Sequence, residues 1–176
     1  VALLVMGPLH IAVPVLASSQ PQLGASALGL MMGAHGAGTL LGMVAAGLRP
    51  GWRIGTLGTS LLLADMAVGL LCMPLGGISA RWQGGVLMLA IGLIGGYLQV
   101  AVFTWMQRRV PPGLVGRTTS LFMFIFMGLV PVSAAVAGWL LRVVSLQTLF
   151  IGAGALLISV AVLAWVVTPI RSLREG

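Results

Sequence analysis

Charged side chains are scarce in this sequence, and acidic ones are nearly missing. Only 6% of the 176 residues are charged, and just two of them are Asp or Glu. A soluble domain carries roughly 25% charged residues. Because 59% of this chain is hydrophobic, too few polar side chains remain to cover a water-soluble fold. The same composition excludes a disordered chain, since disordered sequences are polar and poor in large apolar residues.

Lysine is absent, and all nine basic residues are arginine, which leaves a formal net charge of +7. The arginines stand singly or in pairs between apolar runs, so they do not form the basic stripe typical of nucleic-acid binding. Scattered arginines of this kind are typical of short loops at a membrane surface. The single cysteine, Cys72, lies in an apolar run and cannot form a disulfide within the chain. An integral membrane protein is the class that remains.

The first residues of the chain do not have the pattern of a signal peptide. Val1 opens directly into an apolar run, with no charged segment before the run and no small-residue cleavage site after it. A secretory signal peptide is therefore not predicted. Because no initiating methionine is present, we expect residues 1–176 to be a fragment, namely the C-terminal part of a longer protein.

Charges and polar breaks divide the chain into six apolar segments. A bilayer core about 30 Å thick needs roughly 20 residues of apolar helix. The segments lack the alternation of apolar and polar residues that membrane β-strands show. The sequence therefore predicts an all-α integral membrane protein with six transmembrane helices. The predicted spans are residues 1–17, 25–48, 54–76, 84–107, 118–140 and 146–168.

The distribution of arginine among the loops predicts the orientation. With six spans, the second loop, the fourth loop and the C-terminal tail lie on one side and carry seven arginines, against two on the other side. Arginine-rich short loops stay in the cytoplasm. We expect a multi-pass protein of the cell membrane with both chain ends cytoplasmic. The seven are Arg49, Arg53, Arg108, Arg109, Arg117, Arg171 and Arg174, and the two are Arg81 and Arg142.

Glycine, by contrast, is abundant, with 26 residues in the chain. In lipid, helices associate through close backbone contact at small residues. The second predicted span carries two GxxxG pairs, Gly29/Gly33 and Gly38/Gly42. Tight helix packing is the main role that we expect for these glycines. Pro131 lies inside the fifth span, where a proline removes a backbone hydrogen bond and kinks the helix.

The second and fifth spans end with similar sequences, Val44-Ala-Ala-Gly-Leu-Arg49 and Val136-Ala-Gly-Trp-Leu-Leu-Arg142. These spans correspond if the chain is a repeat of three helices followed by three helices. Because an odd number of spans separates the two copies, the second copy would be inverted in the membrane. Many secondary transporters are built from such repeats.

The loop between the fourth and fifth spans has the most specific pattern in the sequence. Its arginines complement the negative end of the preceding helix, its prolines stop that helix, and Gly116 permits a sharp turn into the next one. The residues of the motif are Gln107, Arg108, Arg109, Pro111, Gly116, Arg117 and Ser120. This pattern resembles the major facilitator superfamily, in particular bacterial drug and siderophore efflux proteins, at the loop between their tenth and eleventh helices.

The resemblance implies a fold and a function. The fold would be the C-terminal six-helix bundle of the superfamily, with an inverted 3+3 repeat, and the missing N-terminal six-helix half would be its partner. The function would be secondary active transport, namely proton-coupled efflux of a small hydrophobic or amphipathic solute across the bilayer. No cofactor, metal or catalytic residue is implied. The loop after the second span departs from the family, because it lacks the acidic residue that the family can carry there.

Polar side chains inside the spans are the candidate site residues. The resemblance maps the cavity-lining helices to the first and fourth spans, where His10, Tyr97, Gln99 and Thr104 are candidate contacts for substrate. For Gln99, a hydrogen bond between helices is the alternative. Amide and phenol groups at this depth need either a partner or water.

Asp65 lies near the middle of the third span, where an ionised carboxylate costs on the order of 2.5–3.5 kcal/mol. His35 lies at a similar depth in the second span, and a short loop joins the two spans. Two hypotheses follow for this pair. It either carries a proton, since imidazole titrates near neutral pH, or forms a hydrogen bond that holds two helices together.

A membrane-embedded enzyme and a channel are the alternative functions. His10 and His35 lie within predicted spans, but no Gly-x-Ser motif faces them, and Gly58-Thr-Ser60 is isolated near the end of a span. A His-Glu-x-x-His metal site is excluded because the only glutamate is Glu175. The paired Asn-Pro-Ala motifs and the carbonyl filter sequences of channels are missing as well. The sequence therefore predicts no enzyme.

Overall fold

The computed structural model describes residues 11–16, 26–48 and 56–167. Helices cover 92% of these residues, and no strand occurs among them. The all-α class is therefore confirmed for the described part of the chain. The helices are α1 (residues 11–16), α2 (Ser26–Leu48), α3 (Leu57–Cys72), α4 (Arg81–Arg109), α5 (Val115–Leu140) and α6 (Leu146–Val167). Two short 3-10 helices follow α3 and precede α5, at Met73–Gly77 and Pro112–Leu114.

Five of the described helices are long and apolar enough to cross a membrane: α2, α3 with its 3-10 extension, α4, α5 and α6. In order, they correspond to the second to sixth predicted spans, while most of the first predicted span lies outside the described residues. Only 12–28% of the most apolar window in each helix is buried inside the protein. Most of the apolar side chains therefore face outward, which is compatible with a multi-pass membrane protein.

Helix α4 extends beyond the predicted span 84–107 at both ends. At its start, the Gln83 side chain reaches back, and its Oε1 accepts hydrogen bonds from the backbone N–H groups of Ser79 (3.0 Å) and Ala80 (3.2 Å). Such a cap satisfies N–H groups that lack a partner within the helix. Hydropathy marks only the part of a helix that is apolar, whereas its hydrogen bonding continues into the polar flanks. With 29 residues, α4 is about 43 Å long.

The start of α5 corrects the role expected for Gly116. The chain turns at the 3-10 helix Pro112–Leu114, where the Leu114 N–H donates to the Pro111 carbonyl at 2.8 Å. Helix α5 then begins at Val115, three residues before the predicted span, so Gly116 lies inside its first turn. None of the described glycines has a positive φ. The turn therefore does not depend on a left-handed conformation at Gly116.

Helices α2 and α4 pack with their backbones in contact. A Cβ atom at Gly38 would meet the Leu89 carbonyl oxygen, and one at Gly42 would lie 2.8 Å from the Tyr97 nitrogen. From the other side, a Cβ atom at Gly92 would lie 3.0 Å from the Thr39 nitrogen. Glycines from both helices thus interlock, which is how small residues let membrane helices approach. Higher residue numbers on α2 meet higher numbers on α4, so the two helices are parallel.

Helices α3 and α6 form the second close pair. A Cβ atom at Gly69 would lie 2.9 Å from the Gly154 carbonyl oxygen, and one at Gly76 would lie 2.5 Å from the Gln147 Cα. Higher residue numbers on α3 meet lower numbers on α6, so this pair is antiparallel. The ends of α2, α4 and α6 therefore lie at one end of the molecule. The arginines described at that end are Arg108, Arg109 and Arg117, whereas Arg81 and Arg142 belong to the opposite end.

Helix α5 is the least covered of the five long helices, with 12% of its apolar window buried. It contacts α1 where Ile11 Cδ1 lies 3.9 Å from a Cβ position at Gly138. It contacts α4 through Phe103 and Phe122, whose ring centroids are 5.3 Å apart in an edge-to-face arrangement. Pro131 lies inside the helix, as predicted.

Candidate functional site

The candidate residues of α4 do not form one cluster. Tyr97 and Thr104 are seven residues apart and therefore share one face of the helix, whereas Gln99 lies on another. Tyr97 is half-buried, and its backbone nitrogen lies beside Gly42 of α2. Gln99 and Thr104 are exposed. The fourth candidate, His10, lies outside the described residues.

Gln99 has a particular place on α4. It continues the stripe that contains Gly92 and Gly96, because residues at i, i+4 and i+7 share one face of a helix. Both glycines are buried against α2, but the Gln99 side chain, less than one turn further along, is exposed. No hydrogen bond of Gln99 to another described residue occurs in the structure. Gln99 is thus exposed, although it continues the stripe of α4 that packs on α2.

His35 and Asp65 are not brought together. Helix α2 packs along α4 instead of α3, and the backbone carbonyl of His35 faces Gly92 of α4. Asp65 is half-buried in the middle of α3, and within the described ranges its carboxylate has no hydrogen-bond or ion-pair partner. No direct hydrogen bond between the two side chains joins α2 to α3.

Thr39 is a residue that the sequence interpretation missed. Its Oγ1 donates to the His35 carbonyl at 2.8 Å, one turn earlier in α2. Its own carbonyl oxygen lies where a Cβ atom at Gly96 would be placed. Thr39 is therefore the polar side chain at the centre of the α2–α4 contact. The available signal was its spacing of four residues from His35, since threonine often bonds back to the carbonyl at i−4.

The loop motif has a defined geometry at the end of α4. The Arg109 guanidinium lies over the Trp105 ring, 5.6 Å from its centroid, which is a cation–π arrangement between residues one turn apart. Gln107, Arg108, Arg109 and Arg117 are exposed. Pro111 supplies the carbonyl that accepts from Leu114 in the turn. The motif residues thus lie at the surface of the turn.

An open depression of about 390 Å³ lies at the other end of α4. It is lined mainly by apolar side chains, and its polar member, Gln83, already caps the helix. Leu87, in its lining, is twelve residues from Gln99, which is about 18 Å along the helix axis. The depression is therefore separate from the candidate residues Tyr97, Gln99 and Thr104.

The part of the chain that the structure describes contains no candidate metal site. No group of three or more His, Cys, Asp or Glu side chains lies close enough there to hold a metal ion. Cys72 is buried and free.

No family model, curated protein or solved structure matches this chain.

Proposed function

We propose that this chain is one six-helix half of a secondary active transporter of the major facilitator type, which exports a small hydrophobic or amphipathic solute. The proposal combines the loop motif between α4 and α5 with the pairing of the helices. An outward proton-coupled pathway would run between this half and a second bundle of six helices. Both ends of the chain would be cytoplasmic, because arginine-rich loops stay on that side of the membrane.

The observation that carries the proposal is the symmetry of the helix pairs. Helix α2 packs on α4, α3 packs on α6, and α1 contacts α5 between Ile11 and Gly138. If α1, α2 and α3 correspond to α4, α5 and α6, the pair α2–α4 corresponds to the pair α5–α1. Under the same exchange, the pair α3–α6 corresponds to itself. The first helices of the two copies would cross the membrane in opposite directions, because the second copy begins three spans after the first. This pairing is what an inverted 3+3 repeat would produce, and many secondary transporters are built from such repeats.

Open helix faces support the presence of a second bundle. On α2, Gly29, Gly33 and Gly36 have no atom of another described helix within 4 Å of a Cβ position. On α5, Phe124 and Met127 are 76% and 70% exposed. Small residues on membrane helices mark places where another helix approaches closely. The uncovered glycines of α2 and the uncovered face of α5 are therefore the surfaces on which we place the N-terminal half.

The missing half provides the first test of the proposal. We expect this chain alone to leave the uptake of ethidium into inside-out vesicles, which corresponds to export from the cell, at background. Co-expression with its N-terminal six-helix half is expected to produce proton-driven uptake. Alternating access needs two bundles that move about a central site. Full export by the chain alone, or no export of ethidium and related amphipathic dyes by the pair, would contradict the proposal.

Gln99 provides the second test, now of the pathway itself. In the two-bundle protein, we expect Gln99→Ala to reduce dye export at least tenfold, because an exposed amide on a cavity-lining helix contacts the solute. Gln147→Ala is the matched control, since Gln147 is an exposed glutamine at the opposite end of the molecule. Equal export by both variants at equal membrane levels would remove Gln99 from the pathway.

A further inference from the structure

Tryptophan lies near helix ends throughout the part of the chain that the structure describes. The tryptophans described there each lie within five residues of a helix end: Trp82, Trp105, Trp139 and Trp165. We propose that these side chains lie in the two headgroup layers of a lipid bilayer, two in each layer, and that the bilayer midplane passes through the contact between His35 and Gly92. The proposal requires that the described helices cross a bilayer, and it does not depend on transport.

The directions of the helices sort the tryptophans into two pairs. Trp82 is the second residue of α4 and Trp139 is the second-last residue of α5, and because α5 runs back along α4, both lie at the end where α4 begins. Trp105 and Trp165 lie near the ends of α4 and α6, which are together at the other end of the molecule. Trp82 and Trp139 are 64% and 63% exposed. Tryptophan is enriched at both membrane–water interfaces, so each pair marks one headgroup layer.

The distance between the two pairs matches the thickness of a bilayer. Trp82 and Trp105 are 23 residues apart on α4, which is about 35 Å along the helix axis. At the average tilt of about 20°, their separation along the membrane normal is about 32 Å. The hydrocarbon core of a bilayer is about 30 Å thick. Arg81 and Arg108 lie outside the two tryptophans, and no charged residue of α4 lies between them.

Helix α5 provides a check on the level of its own tryptophan. The ring centroids of Phe103 on α4 and Phe122 on α5 are 5.3 Å apart, so the two residues lie at about the same level. Phe103 is 21 residues from Trp82, about 31 Å, and Phe122 is 17 residues from Trp139, about 25 Å. Trp139 therefore lies about 6 Å deeper than Trp82. Because each interfacial layer is roughly 5–7 Å thick, one layer accommodates both side chains.

The position of the midplane follows from the same spacing. The point halfway between Trp82 and Trp105 on α4 lies just after Leu93, and Gly92 is about 2 Å from it along the helix axis. The backbone carbonyl oxygen of His35 on α2 lies where a Cβ atom at Gly92 would be placed. His35 therefore lies at the depth that is farthest from water on both sides of the membrane.

Helices α3 and α6 place the midplane independently. On α6, Gly154 comes 11 residues before Trp165, which is about 16 Å and close to half of the separation on α4. A Cβ atom at Gly69 of α3 would lie 2.9 Å from the Gly154 carbonyl oxygen. The glycine contacts of the two helix pairs therefore share one level. Asp65, four residues before Gly69, lies about 6 Å from this level, toward the end where α3 begins.

The experiment measures the depth of single tryptophans by fluorescence quenching. Variants that keep only Trp82 or only Trp105, with phenylalanine at the other tryptophan positions, are reconstituted into bilayers of phosphatidylcholine. The acyl chains of this lipid carry bromine, which quenches a nearby indole, either close to the headgroup or close to the chain end. Because side chains at headgroup level lie nearer to the shallow bromine, we expect it to quench both variants about twofold more than the deep bromine.

Leu93→Trp, in a chain whose own five tryptophans are replaced by phenylalanine, is the matched control. Leu93 is 40% exposed and comes 11 residues after Trp82, which places it on the same face of α4, three turns deeper. The same helix face is therefore sampled at two depths. For this variant we expect the opposite order, with about twofold more quenching by the deep bromine.

The unmodified chain gives a further arm that needs no substitution. Because its described tryptophans lie near helix ends, we expect the shallow bromine to quench it more than the deep bromine. Deep quenching that equals or exceeds shallow quenching in the unmodified chain or in the Trp82 or Trp105 variants would overturn the proposal. Stronger shallow quenching of Leu93→Trp, or no quenching by either lipid, would also overturn it. Dye export is not measured, so the outcome is independent of the proposed transport.

Discussion

The contact between α2 and α4 leads to a sharp prediction about two glycines that are only two residues apart. In Gly38→Ala, the new methyl group would meet the Leu89 carbonyl oxygen and lie 3.0 Å from the Leu93 nitrogen. Both atoms belong to the backbone, so no side-chain rotation relieves the clash, and the helices must separate. In Gly36→Ala, the methyl group has no atom of another described helix within 4 Å.

The two substitutions are expected to change stability in opposite directions. Alanine gains about 1 kcal/mol over glycine in a helix interior, and this gain applies at both positions. Overpacking costs about 1–3 kcal/mol, and a clash with a rigid backbone lies at the upper end of that range. We expect Gly38→Ala to lower the free energy of unfolding by about 1–2 kcal/mol net, which is about five- to thirtyfold in the unfolding equilibrium. Gly36→Ala is expected to raise it by up to about 1 kcal/mol.

The assay is reversible unfolding of the purified chain in detergent micelles with increasing SDS, followed by circular dichroism. A mixed variant, Gly38→Ala with Gly92→Ala, tests the same interface from both helices. Because these positions share the α2–α4 contact, their effects are expected to be non-additive. If Gly38→Ala and Gly36→Ala shifted the midpoint by the same amount, the backbone contact that we describe would be refuted.

The remaining predictions concern Asp65 and the aromatic pair. Asp65→Asn is expected to leave the unfolding midpoint unchanged or to raise it. An ionised carboxylate in mid-span costs on the order of 2.5–3.5 kcal/mol, and no described residue forms a hydrogen bond with Asp65. A loss of stability above about 1 kcal/mol would show that the carboxylate has a stabilising partner. A double-mutant cycle of Phe103→Leu and Phe122→Leu is expected to yield a coupling of about 0.5–1.5 kcal/mol, measured by the same unfolding assay. A value of zero would contradict the edge-to-face contact between α4 and α5.

Much of the architecture follows from composition and helix length. Long apolar runs predict the helices, because a bilayer requires each span to satisfy its own backbone hydrogen bonds. The ends are predicted less well, as at Arg81 and Val115, because capping by Gln83 and the turn at Pro112–Leu114 extend helices beyond their apolar parts. The resemblance predicts Tyr97, Gln99 and Thr104 as candidate residues. It does not predict that Gln99 lies on a different face of α4 from the other two, which follows from the geometry of the helix.

The sequence by itself determined that this chain forms apolar helices, that glycine brings some of them together, and that arginine gathers at one end. It did not determine which helices meet. Of the two GxxxG pairs in α2, only Gly38/Gly42 packs on another described helix, whereas Gly29/Gly33 faces open space. The tertiary structure alone decided this choice, and it also placed α2 on α4 instead of beside its sequence neighbour α3. The reason is physical: helices that are apolar all round carry no polar face to indicate the partner, so the choice rests on how closely two particular backbones can approach.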